Sequence, residues 1–174
     1  MFKSSKAPKL LNIYISKREL CDEAQLKLFE LPNAKELVKT YIFLHMELCD
    51  AAQVKLVELP NPIELIEMYI SRRPFCAAAK IKMIEQPNAA QLLKLLHKHQ
   101  YYLGDTVQLK LFEQPNAAEL VKMYISWYRL CDDAQLKLLD LPDAPELVKM
   151  YISKWGLGKK AQFKCWHKLM QQSL

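Results

Sequence analysis

The sequence predicts an all-α protein, an α-solenoid built from about six copies of one helix-turn-helix unit. Three recurring series carry that prediction. Pro32, Pro60, Pro87, Pro115 and Pro142 follow one another at 28, 27, 28 and 27 residues. Tyr14, Tyr41, Tyr69, Leu96, Tyr124 and Tyr151 keep the same step, and so do Cys21, Cys49, Cys76, Gly104, Cys131 and Gly158. Only three glycines stand against nine prolines in 174 residues, which leaves little raw material for β-hairpin turns.

Each unit reads as two short helices, here called A and B. The A helix, with residues 22–31 as the example, opens on Asp22 with Gln25 three places on, a capping-box pattern. Asp50/Gln53, Asp105/Gln108 and Asp132/Gln135 repeat it. Cys21 before the expected cap and Leu26 inside the helix have the spacing of a hydrophobic staple, which gives the recurring cysteine a structural task. Ala24, Leu28 and Leu31, widened by Leu26 and Phe29, form the apolar face. Pro32 ends the helix, because the residue before a proline is pushed out of the α region.

The B helix follows at once. Asn33/Glu36, Asn61/Glu64, Asn88/Gln91, Asn116/Glu119 and Asp143/Glu146 have the form of caps, and Pro62 and Pro145 stand in a first turn that tolerates proline. Ala34, Leu37, Val38, Tyr41 and Ile42 then recur at i, i+3, i+4, i+7 and i+8, a one-sided stripe. Helices of about ten residues are marginal alone, so stacking on neighbours has to supply the stability. The array is expected to form one domain over residues 1–174, in units of roughly 5–31, 32–59, 60–86, 87–114, 115–141 and 142–172. The first unit starts near Lys6-Ala7-Pro8, which matches Asp143-Ala144-Pro145, and the last helix runs from about Lys159 to Gln172. The whole chain resembles the α-solenoid class that includes the TPR and HEAT-like proteins. Its unit is shorter than theirs and lacks the TPR tryptophan–glycine–tyrosine pattern.

Function is sought where the repeat varies. The end of the B helix and the turn after it read Phe43-Leu44-His45-Met46-Glu47, Ser71-Arg72-Arg73-Pro74, His97-Lys98-His99-Gln100-Tyr101-Tyr102, Ser126-Trp127-Tyr128-Arg129 and Ser153-Lys154-Trp155. Stacking should line these turns up in a row rich in aromatics and arginine, the residues that interfaces favour at their centres. The candidate partner-binding residues are therefore Arg72, Arg73, His97, His99, Tyr101, Tyr102, Trp127, Tyr128, Arg129, Lys154 and Trp155. The alternative is that the turns drift and their aromatics fold back over the core. The third unit departs furthest from the pattern, with Leu96 for tyrosine, His97 for the stripe isoleucine and Gly104 for cysteine.

A lysine recurs in every A helix, at Lys27, Lys55, Lys82, Lys110, Lys137 and Lys164, and could track phosphates. An acid follows three residues after each of the first five, which is the ordinary pattern of a solvated helix face. The chain carries +6 overall, with +9 concentrated in residues 1–18 and 155–174 and −3 between them. A nucleic-acid groove would want its charge along the body.

No phosphate loop, nucleophile elbow or HExxH occurs, and histidine appears four times, so neither catalysis nor a small-molecule substrate is expected. No cofactor or metal is expected either, since the five cysteines show no CxxC or CxxH spacing. The absence of a long apolar run argues against a membrane span, and a basic but interrupted N-terminus suggests a cytoplasmic protein. The expected function is a non-catalytic module that binds a protein or peptide. Nucleic-acid binding and a self-assembling spacer are the alternatives.

Overall fold

The computed structural model describes residues 13–15, 17–45 and 47–172. Met46 and the hairpin start expected at Lys6–Pro8 lie outside them. All regular structure among the described residues is helical, as the repeat predicts. After a helical turn at 13–15, A helices alternate with B helices. The A helices are α1 (Asp22–Leu28), α3 (Asp50–Glu58), α5 (Ala77–Ile84), α7 (Asp105–Leu111), α9 (Asp132–Leu138) and α11 (Lys159–Gln172). The B helices are α2 (Ala34–His45), α4 (Ile63–Ile70), α6 (Ala89–Lys98), α8 (Ala117–Ile125) and α10 (Ala144–Lys154). No helix among the described residues is long and apolar enough to cross a membrane.

The chain divides into two compact units, Met1–Lys82 and Met83–Leu174. Inside the first, α1 meets both α2 and α3, and α4 meets α2 and α3. Inside the second, α7, α9 and α11 follow one another in contact, as do α6, α8 and α10, with α7 on α8 and α9 on α10. Within each unit these helices thus touch a hairpin neighbour or their own kind one repeat away, the arrangement by which a repeat array buries a core that a lone hairpin cannot. The predicted stripes are that core: Leu37, Val38, Tyr41 and Ile42 are buried on α2, and Leu120, Val121, Tyr124 and Ile125 on α8.

Two local expectations need correcting. The A helices stop before their proline: α1 ends at Leu28, and Phe29, Glu30 and Leu31 donate to the carbonyls three residues back. The last turn tightens so that the chain can reverse, and Leu31, expected on the core stripe, falls out of phase and is exposed. The caps also sit one residue early. Cys21, Cys49, Gly104 and Cys131 hold the extended N-cap conformation, and Asp22, Asp50, Asp105 and Asp132 are first helical residues that favour the helix dipole. In α5 the thiol itself caps, Cys76 Sγ accepting from the Ala79 N–H at 3.4 Å. At the start of the B helices, Asn88, Asn116 and Asp143 make no side-chain cap bond; their backbone, with ψ between 21° and 33°, is not in the extended conformation from which a side chain caps.

Candidate interaction surfaces

The glutamines that looked like capping-box partners are the most buried polar groups of the fold. Gln25, Gln53, Gln108 and Gln135 are all buried. Each donates through Nε2 to the carbonyl of the turn before its own helix: Leu20, Leu48, Leu103 and Leu130, at 2.8–3.1 Å. Each accepts at Oε1 from the backbone N–H that opens the next A helix: Cys49, Cys76, Cys131 and Gly158, at 2.7–2.8 Å. The recurring tyrosine completes the clamp, its hydroxyl accepting from the N–H of Leu20 (Tyr41), Leu103 (Tyr124) and Leu130 (Tyr151) at 3.2–3.3 Å. Burial pushes these phenols above their ordinary pKa. Gly104 and Gly158 stand where the other units have cysteine; a Cβ at Gly158 would meet Asp132 Oδ1 at 3.0 Å, whereas the space beside Gly104 is open. Sequence reasoning missed this clamp. The available signal was a glutamine four residues after the recurring Cys or Gly in every unit but the one that carries Lys80.

The clamp fixes the inter-repeat turns, where the predicted partner-binding residues lie. In the first unit the Arg72 guanidinium lies over the Phe43 ring at 5.5 Å from its centroid and donates to the Phe43 carbonyl. Arg73 is exposed. In the second unit three of the predicted residues converge. His97 stacks on Trp127 with centroids 4.2 Å apart and planes 3° from parallel, and its Nδ1 lies 3.2 Å from the Tyr128 hydroxyl. Trp155 Nε1 donates to the Ile125 carbonyl and Lys154 Nζ to the Ser126 carbonyl, both at 2.8 Å. Arg129 is exposed, and its positive charge partly offsets the effect of burial on the Tyr151 phenol. These side chains bind one repeat to the next while keeping part of their surface open. Tyr102 is exposed and Tyr101 half-buried. The His99 ring is half-buried, and its Nε2 is buried with no hydrogen-bond partner. Among the described residues no three His, Cys, Asp or Glu side chains converge as a metal site would require, and all five cysteines are free thiols.

The lysines form a ladder of ion pairs. Lys27, Lys55 and Lys110 face the acid three residues on: Glu30, Glu58 and Glu113. Lys82, Lys137 and Lys164 reach back to the acid of the preceding repeat: Glu58, Glu113 and Asp140. Glu113 and Asp140 are held below the usual carboxylate range by their lysine partners. A phosphate would have to compete with a carboxylate already within 4 Å of every ladder lysine.

A recess opens in the first unit between the same turns. It measures about 490 Å³, and its lining includes Glu19, Asp22, Glu47 and Asp50, with the Arg73 guanidinium as its one basic group and the clamp tyrosines Tyr41 and Tyr69. Four carboxylates against one cation make it acidic in a chain of net charge +6. Sequence reasoning passed over these acids because two of them sit at helix starts and were assigned to caps. No known protein family, curated protein or solved structure matches this chain.

Proposed function

We propose that the chain is a non-catalytic repeat module of the α-solenoid class, TPR/HEAT-like in architecture, that holds a protein or peptide segment along its inter-repeat turns. The acidic recess carries this proposal. It is lined by turn residues, it has room for a long side chain, and its charge is opposite to that of the chain as a whole. A lysine or arginine of the partner would exchange water for Glu19, Glu47 and the helix-start carboxylates, and the tyrosines would cover its alkyl stem. The partly open aromatics of the other turns, Trp127, Tyr128 and Trp155 among them, are suited to hold neighbouring apolar residues of such a segment. Five free thiols suit a reducing compartment such as the cytoplasm.

Selection from a random peptide display library tests it. The chain should enrich peptides with a recurring Lys or Arg, and a variant carrying Glu19→Lys and Glu47→Lys should lose them at least tenfold while keeping its helical circular dichroism. Enrichment without a basic consensus, or equal binding to the variant, would remove the recess from the function.

A further inference from the structure

Among the described residues, the first and the last repeat positions present complementary halves of one clamp. Gln162 on α11 holds the position of the four buried glutamines and donates to the Leu157 carbonyl at 2.7 Å as they do to theirs. Yet Gln162 is exposed, and among the described residues no N–H donates to its Oε1. On the other side, Tyr14 holds the position of the buried tyrosines but is 52% exposed. Among the described residues the Cys21 N–H, equivalent to those of Cys49, Cys76, Cys131 and Gly158, finds no acceptor, and Cys21 is exposed.

The apolar surfaces tell the same story. Phe163 and Trp166 are 71% and 65% exposed, and with Met170 they follow at i, i+3 and i+7 along one face of α11. Trp166 occupies the repeat position of Val57, Ile84 and Leu139, which are buried, and of Phe29 and Phe112, which are half-buried. The other units cover that position at least in part, and here it holds the largest apolar side chain, exposed.

We propose that this surface takes a second copy of the same chain, head to tail, in the register of the internal repeat. Tyr14 of the second copy would accept from the Leu157 N–H, and its Cys21 N–H would donate to Gln162 Oε1. Exposed indole and phenyl groups would leave water in the same step. Both hydrogen bonds copy ones that the chain already makes within itself, whereas α11 runs on to Gln172, past the point where the other A helices turn. Charge does not carry over. The position of Glu113 and Asp140 is His167 on α11, and the segments on both sides are basic. Like charge opposes the contact and apolar burial drives it, so salt should strengthen the association. An acidic partner on the same face would give the opposite dependence. A heterologous contact of this kind propagates and sets no fixed copy number.

Sedimentation of the 174-residue chain, with each variant checked by circular dichroism, tests this. Average mass should climb past that of a dimer with concentration, and climb further when salt is raised. Trp166→Glu and Tyr14→Glu should each be monomeric, since each closes one side. Mixed together they should form a one-to-one dimer, because the open side of each fits the open side of the other. A chain that stays monomeric, a mixture that stays monomeric, or single variants that assemble as well as the parent would overturn the proposal.

Discussion

At the residue scale the glutamine clamp decides more than any apolar side chain. A buried amide is costly unless both of its ends are bonded, and Gln135, fully buried, has both: the Leu130 carbonyl at 3.0 Å and the Gly158 N–H at 2.7 Å. Those two backbone groups lie in different repeats, so one side chain closes a turn and joins it to its successor. Replacing it with alanine removes both partners and strands a buried donor and a buried acceptor. Gln135→Ala should therefore cost about 2–4 kcal/mol, more than the loss of the same number of apolar atoms. Urea unfolding would measure it. A cost under about 1 kcal/mol would mean that water replaces the amide and that the clamp is incidental. Gln162→Ala is the internal control, because that glutamine is exposed and should be nearly neutral.

At the element scale, helix type and spacing were legible in the sequence, and helix ends were not. The stripes Leu37-Val38-Tyr41-Ile42 and Leu120-Val121-Tyr124-Ile125 are strong periodic signals fixed by burial, and the structure keeps them. The caps slipped by one residue because Cys and Gly carry no capping oxygen, so attention fell on the aspartate beside them. Of the candidate site, the variable turns could be named, but not what their side chains touch. The His97–Trp127 stack joins residues 30 apart, and no local pattern encodes it. The end of α6 shows what a local rule still delivers. Tyr101 N–H bonds the Leu96 carbonyl and Gln100 N–H the His97 carbonyl, a Schellman motif with Gln100 in the left-handed region at φ 60°. Gly156, at φ 70° just after α10, meets the same demand with the residue that suits it. Gln100→Gly should thus raise stability by about 1 kcal/mol, the left-handed penalty of a side chain less the entropy glycine adds to the unfolded state. A lower melting temperature in that variant would mean the Gln100 side chain holds the turn by contacts of its own.

At the scale of the whole molecule, the clamp series is interrupted once. The glutamine position of the third A helix is Lys80, and the tyrosine position that follows is Leu96. The division between the two compact units falls between those residues, at Met83. In a repeat protein, cooperativity is carried by the interfaces between neighbours, so a repeat with a different interface is where unfolding separates. Burial lowers the Lys80 ammonium pKa, a cost that the neutral amide at this position in the other repeats does not carry. Denaturant unfolding should then proceed in two steps. Gln53→Ala, whose partner Cys76 lies in the first unit, should shift one step, and Gln135→Ala, whose partner Gly158 lies in the second, should shift the other. Hydrogen exchange followed by mass spectrometry assigns the steps, since peptides from α3 and α9 should lose protection at different denaturant concentrations. A single transition, moved equally by both substitutions and reported alike by both peptides, would mean that the interrupted repeat transmits stability as fully as the clamped ones do.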